Sequence, residues 1–433
     1  MAMDGKELVE KLAKLSQVQS IKDIPQLTHA LFPGTHCPLM GAAMAVGGIK
    51  DSLIVVVGTD ECTYYTKSMT IHSEKFGGID GRCVSVVLDD HDVTFGSAEK
   101  VQEAFKEIIE EYRPQCVFLV TTCVIEIIGD DFDAISEGLS KLYGIPVLPV
   151  HTEHFKCEDH LPGLERTITV CAEMMKSCDC ENSVNLLGQR MGDFATTELY
   201  AMLQKAGVKI GLQLPCGCSV DDIKNAAAAK VNIVVNDIAL PLAQKMQEKF
   251  GIPYVYFNKF VIPEKIYEAY ENLCVYLDLE LPGELEGLYQ NAREKIEKNK
   301  GELEGITYIY GNTPYAVFEM NCFLSSLGMV PQVIQTNRYT EADEPYAKEI
   351  LQYTDPYVCK AANIAPLQYV YDVLSPYLYL GHEFGNRLRQ KGIAIVDSDR
   401  ASGMLGFEVT GYLLQQLVKS VREAKEYRKE LGL

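Results

Sequence analysis

Apolar and polar positions along the chain switch repeatedly between two periods. Short β-branched runs at Leu53 to Gly58, Cys83 to Leu88, Cys116 to Val120 and Pro146 to Val150 predict strands. Between and after them, helical spacing predicts helices at Ser97 to Tyr112, Phe132 to Tyr143 and Pro162 to Ser177. Connections this short between strands of one kind imply right-handed crossovers and a parallel sheet. The alternation resumes with strands at Asn182 to Gln189, Val208 to Leu214, Val231 to Val235 and Pro253 to Phe257. It resumes again with Ile306 to Tyr310, Val330 to Gln335, Tyr377 to Leu380 and Ile393 to Val396, closed by a helix from Gly406 to Lys429. The charged stretch Glu284 to Lys300 reads as a solvated connector, and Leu8, Leu12 and Leu15 share one face of an N-terminal helix. The expected fold class is therefore α/β, with three doubly wound, Rossmann-like domains built on parallel sheets. Their expected limits are an N-terminal helix at 1–20, a first domain at 21–181, a second at 182–300, and a third at 301–433 with the C-terminal helix. No sequence repeat of fixed period accompanies this repeated architecture.

Composition narrows the class. A chain of 433 residues that is 47% apolar can bury a large core. No apolar run approaches a membrane span, and the charged N-terminus lacks the apolar region of a secretory signal, so a cytoplasmic protein is expected. A formal charge of -20 opposes an extended nucleic-acid or anionic-membrane surface. Fourteen cysteines in a reducing compartment point to thiolate or metal chemistry over disulfides, with most of them serving as small buried hydrophobes.

Three cysteines stand out, in GTHCPLMGA at Cys37, GTDECTYYT at Cys62 and TTCVIEIIGDD at Cys123. Cys62 and Cys123 follow predicted strands and so leave the carboxyl edge of a parallel sheet, where open α/β sheets place ligands. Cys83 and Cys116 begin strands at the opposite edge and read as core thiols. Three soft thiolates suit an iron–sulfur cluster; on spacing alone, three unrelated buried cysteines remain the alternative. His154 and Cys157, in HTEHFKCEDH, leave the same edge and could supply a further ligand or form a polar loop. The run Asp89 to Asp92 could hold a hard cation or cap a helix. The CDC at Cys178 and CGC at Cys216 are too tightly spaced to chelate one tetrahedral metal unaided. Gly188 and Gly311 follow strands, but neither completes a dinucleotide or Walker A signature, so ATP hydrolysis by this chain is not expected.

CPLMGA, ECTYYT, VTFGSAEKVQEAF, TTC-x-x-E-x-IGDD, VNLLGQ and KFGIPYVYFN occur in that order over nearly the whole length. This set resembles the component 1 family of nitrogenases and nitrogenase-like reductases. The resemblance implies three α/β domains around metal clusters, with Cys37, Cys62 and Cys123 holding a [4Fe-4S] or P-cluster-like [8Fe-7S] cluster at a subunit interface. It implies a homodimer, or a heterotetramer with a paralogous subunit, and electrons supplied by an ATP-dependent iron-protein reductase. It also implies a substrate cavity near Cys216, Asn236, His382 and Asp397. The family's α subunits anchor their catalytic cofactor with a cysteine and a histidine. Those positions fall here at Val235 or Asn236 and near Asp397, so reduction of dinitrogen on a cofactor held that way is not expected. The leading expectation is an oxidoreductase that reduces an unidentified substrate. The alternatives are a scaffold for assembly of a nitrogenase-type metallocofactor, or a cluster-free α/β binding protein.

Overall fold

The computed structural model describes residues 4–433 except 28–35, 72–80, 158, 191, 259, 312, 314–315 and 361–363. Three sheets with a parallel core organise the chain. The first runs, in spatial order, Cys83–Val87, Ser52–Gly58, Cys116–Thr121 and Val147–Val150. Its register puts Gly58 beside Val87 and Val57 beside Thr121, so these strands finish at one edge. The second is Tyr254–Tyr256, Ala229–Val234, Glu181–Gln189 and Lys209–Pro215. In the third, Tyr357–Cys359, Val330–Gln335, Thr307–Tyr310, Leu378–Leu380 and Ala394–Val396 are parallel neighbours.

Period-2 alternation explains why the first sheet carries helices on both faces. Leu53, Val55, Val57, Val117 and Leu119 pack with Val101, Phe105 and Leu139 on the helices Ala98–Tyr112 and Phe132–Tyr143. The intervening Ile54, Val56, Phe118 and Val120 face the other way, onto Ala42 and Val46 of the helix Pro38–Gly47. That second cluster continues without a break to Leu187, Leu212 and Val234 of the second sheet. A strand covered on both sides reads as one apolar run, as Leu53 to Val57 does. A two-residue pairing of Ile49–Lys50 with Cys218–Ser219 also joins the two units.

The N-terminal segment departs from expectation. Its helix is only Gly5–Glu10, and Ala13–Lys14 then forms an antiparallel edge strand on Tyr357–Cys359 of the third sheet. Leu8 and Leu12 bury against that sheet's helices and strands, and Leu15 enters its other core. Spacing alone does not reveal a partner more than three hundred residues away. Tyr357–Cys359 itself lacks a sequence signal because it is three residues long and begins directly after Asp355-Pro356. The charged connector is the helix Glu284–Leu303, and it buries Leu285, Ala292 and Leu303, so it is a packed element as well as a solvated one. Its Glu302 takes a bidentate contact from Arg422 of the C-terminal helix Glu408–Leu431, at 3.1 and 2.8 Å. No helix among the described residues is long and apolar enough to cross a membrane.

Candidate functional site

Each of the three candidate cysteines stands at the start of a helix beside the carboxyl edge of the first sheet. Cys37 is the N-cap of Pro38–Gly47, Cys62 lies in the first turn of Asp60–Ile71, and Cys123 opens Cys123–Ile128. All three residues are partly exposed. Burial pushes the Cys123 thiol upward, and the nearby sulfurs of Cys62 and Cys37 push it further, while the backbone N–H groups of Val124 and Cys123 oppose the rise. The trio therefore shares one electrostatic neighbourhood. By contrast, burial raises the thiols of Cys83 and Cys116 at the other edge to about 11 and about 12, values for inert core thiols.

Close packing positions two of the three. The helix that Cys37 caps crosses Leu161–Val170 almost backbone to backbone. A β-carbon at Gly41 would lie 1.9 Å from the His160 carbonyl oxygen, and one at Gly163 would lie 1.8 Å from that of Pro38. Gly58 is equally constrained, because its missing β-carbon would meet the Thr122 hydroxyl at 2.1 Å, one residue before Cys123. Glu126 then ties the Cys123 helix to the next loop. Its Oε1 accepts from Thr121 Oγ1 at 2.7 Å, Thr152 Oγ1 at 3.1 Å and the Glu153 backbone N–H at 2.6 Å. Arg166 closes that loop by donating to the carbonyls of His151 and Thr152 and to Glu153 Oε2.

His154 and Cys157 sit in this loop without joining the trio. His154 is exposed, with its ring edge-on to Phe155 at 5.7 Å. Cys157 is held by its own loop, its Sγ 3.6 Å from the Thr152 carbonyl and 3.7 Å from Arg166 Nη1.

The cysteines form no compact cluster. Among the described residues, the one group of three metal-ligating side chains with ligand atoms within 4.8 Å of one another is Asp89, His91 and Asp92. There Asp89 caps a helix and Lys100 Nζ lies 2.9 Å from Asp89 and 2.6 Å from Asp92, so a lysine already fills the place of a cation. A single tetrahedral ion holds its sulfurs at about 2.3 Å, and hence close together. Cys37, Cys62 and Cys123 thus place three soft donors on separate helix starts, and the described residues do not gather them into a compact ligand set.

The cavity candidates occupy strand ends of the other two sheets. Cys216 follows Lys209–Pro215 and donates to the Arg190 carbonyl at 3.2 Å. Asn236 follows Ala229–Val234, is buried, and spends its Oδ1 as acceptor for the Ile238 N–H at 3.2 Å. Gly188, at φ 96°, lies under it, where a β-carbon would approach Asn236 Cβ to 2.9 Å. His382 and Asp397 lie on adjoining strand ends of the third sheet. Both are exposed; His382 Nε2 lies 3.4 Å from Asp399 Oδ1, and Asp397 accepts from the Asp399 N–H at 3.2 Å. No hydrogen bond or ion pair among the described residues joins either to Cys216 or Asn236. One residue that the motifs did not single out touches all three units. Arg338, after Val330–Gln335, reaches Asp237 Oδ2 at 3.0 Å and Glu165 Oε2 at 3.8 Å, spanning all three units.

Residues 37–422 match the pattern of the family described as nitrogenase component 1 type oxidoreductase. The chain belongs to that family. It is 30% identical over 224 residues to the nitrogenase iron-molybdenum cofactor biosynthesis protein NifE of Clostridium pasteurianum, covering 51% of this chain and 49% of the relative. The first relative is thus matched over about half its length. Against NifE of Rippkaea orientalis the identity is 25%, over 73% of this chain and 69% of the relative. Against the nitrogenase molybdenum-iron protein alpha chain of Methanosarcina barkeri it is 24%, over 72% and 62%. In structure, the chain superimposes on one described as nitrogenase Cp1 at pH 6.5 with a TM-score of 0.78 at 15% identity, covering 93% of this chain and 95% of the other. That likeness establishes the component 1 fold.

Proposed function

We propose that this chain is a component 1 type scaffold subunit. It carries an iron–sulfur cluster on Cys37, Cys62 and Cys123 and holds a metallocofactor precursor as cargo at the junction of its three sheets. The observation that carries this reading is the contrast between its two sites. The thiol trio is present, while the positions at which α subunits anchor a catalytic cofactor fall at Val235, an apolar side chain, or Asn236, already spent on a cap, and near Asp397, a hard ligand. A cargo that must leave has no need of a permanent thiolate and imidazole. The relatives named as cofactor biosynthesis proteins support the same reading. We take each sheet to be the core of one domain, with borders near 181 and 300.

When bound, an iron–sulfur cluster supplies one-electron chemistry. This chain's own part is to present three sulfurs from separate helix starts at one sheet edge and to expose a protein-binding surface. Tyr64, Tyr65, Ile127 and Phe155, on the same edge as the trio, are 66%, 66%, 71% and 70% exposed. Such a surface suits a paralogous subunit or a second copy, which would complete the ligand set.

A second reading keeps turnover: an oxidoreductase fed by an ATP-dependent iron-protein reductase. The likeness to molybdenum-iron alpha chains favours it. Anaerobic purification with iron, sulfide and heterometal analysis decides between them, together with EPR before and after dithionite and an assay with reductase and ATP. Heterometal precursor that transfers to an acceptor without substrate reduction supports the scaffold. Sustained substrate reduction supports the second reading, and an iron-free, colourless protein removes both.

A further inference from the structure

The strand Tyr254–Tyr256 is the outer member of the second sheet, with Ala229–Val234 on its inner side. The Asn232 N–H donates to the Pro253 carbonyl at 2.9 Å, and the Phe257 N–H donates to the Val234 carbonyl at 2.8 Å. Backbone groups alternate sides along a strand, so Val255 also faces inward, and the N–H and C=O groups of Tyr254 and Tyr256 face out. No strand among the described residues pairs with them. The first sheet closes the corresponding edge. At Val147–Val150, Ser140 Oγ donates to the Val147 carbonyl at 3.4 Å and accepts from the Val147 N–H at 2.8 Å, and Pro149 has no N–H to offer. Proline and capped backbone groups keep other strands away from an edge. Tyr254–Tyr256 carries neither device. A groove of about 430 Å³ lies between it and the helix Pro263–Leu277. Tyr254, Tyr256, Phe260 and Tyr276 line the groove, and the Tyr256 and Phe260 rings stand perpendicular at 5.8 Å. Lys265 and Glu268 are its charged lining residues. Along the helix Glu264, Glu268 and Glu271 outnumber Lys265, and Glu268 and Glu271 are exposed without an ion pair among the described residues.

An open edge strand beside a helix is suited to an extended peptide, because main-chain bonds supply affinity and the groove receives every second side chain. We propose that the groove between Tyr254–Tyr256 and Pro263–Leu277 is a docking site for an extended, basic segment of a partner protein. That segment adds a strand to the second sheet, seats apolar side chains among the tyrosines, and sets its lysines or arginines against Glu268 and Glu271. Charge selects this occupant over a second copy of the chain. Antiparallel pairing of two such edges about Val255 would bring two glutamate-rich helices together, and like charges across an interface oppose association. The site uses a different sheet from the thiol trio and stands with or without a cluster there.

The test uses the full chain, purified anaerobically, and a capped hexapeptide that alternates lysine with valine and phenylalanine. In calorimetry at low salt this peptide binds saturably, and its counterpart with glutamate in place of lysine binds at least about tenfold more weakly. The lysine peptide is then N-methylated at alternate amides, in each of the two possible sets. The set that faces the strand weakens binding at least about tenfold and the other set does not, an asymmetry that charge attraction alone cannot produce. E268K/E271K, changed at two exposed positions, reverses the preference toward the glutamate peptide and keeps the wild-type unfolding temperature. Absence of saturable binding, equal effects of the two methylated sets, or an unchanged preference in E268K/E271K overturns the proposal. Sedimentation of the peptide-free protein tests the rival occupant: a dimer that the peptide dissociates would assign this edge to a second copy and overturn the basic segment as its natural ligand.

Discussion

Gly58 and Thr122 occupy the same space. The Thr122 hydroxyl donates to the Val57 carbonyl at 2.9 Å and stands where a β-carbon on Gly58 would be. Because Cys62 follows Gly58 by four residues and Cys123 follows Thr122 by one, this contact sets the spacing of two of the three thiols. G58A must push Thr122 aside, and overpacking of this kind costs about 1–3 kcal/mol. Chemical denaturation should show that loss, and iron content should fall with it. Gly138 provides the control, since it sits inside the helix Phe132–Tyr143 with nothing within 4 Å of an added β-carbon. G138A should gain about 0.5–1 kcal/mol and leave iron unchanged. Full iron in G58A would remove the positioning role.

Much of this arrangement was legible in the residues and some was not. Apart from Ala13–Lys14 and Tyr357–Cys359, the strands of the three sheets are apolar runs bounded by turns, so periodicity reads them to within one or two residues, as at Val330–Gln335. The sheet edge reached by Cys62 and Cys123 follows from strand direction. Cys37 is different, because its place depends on a helix crossing in which Gly41 meets His160 and Gly163 meets Pro38, contacts more than a hundred positions apart that no local pattern encodes. Glu126 was visible inside its motif, although its three donors belong to the following loop.

If the trio holds a cluster, thiol loss and core damage separate cleanly. C37A, C62A and C123A should each lose iron and the visible absorption of the anaerobic protein. C116A, at a fully buried position away from that edge, should cost about 1 kcal/mol in stability and retain its iron. Three trio variants with wild-type iron content would end the cluster assignment.

Glu126 should behave as a structural hub. E126A leaves the hydroxyls of Thr121 and Thr152 and the Glu153 N–H without their shared acceptor, and buried or part-buried donors so stranded cost about 1–3 kcal/mol each when water does not replace the partner. E126Q retains a carbonyl acceptor and should recover most of the stability. Hydrogen exchange at 151–157 should quicken in E126A and stay near wild type in E126Q. Equal effects of the two variants would show that the negative charge matters and the acceptor geometry does not.

Glu319 gives the fold a pH dependence with a definite sign. It is buried in the first turn of the helix Val317–Ser326, and its Oε1 has no hydrogen-bond partner among the described residues. Burial pushes its carboxyl up to about 8, against an opposing pull from Lys265 and a backbone N–H of Val261. The folded chain thus keeps this proton where the unfolded chain, with an ordinary glutamate, releases it near 4.5. Between those values the folded state binds more protons, so stability falls as pH rises; the contribution is complete below about 4.5 and lost by about 8. At pH 7 the penalty is on the order of 3 kcal/mol. E319Q carries no such proton, so its stability relative to wild type should climb from pH 5 to pH 8, and the gain should level off above 8. Denaturation series at matched ionic strength measure this difference directly. A difference that stays flat across that window would mean that Glu319 is ionised in the folded protein, with a counter-charge drawn to it.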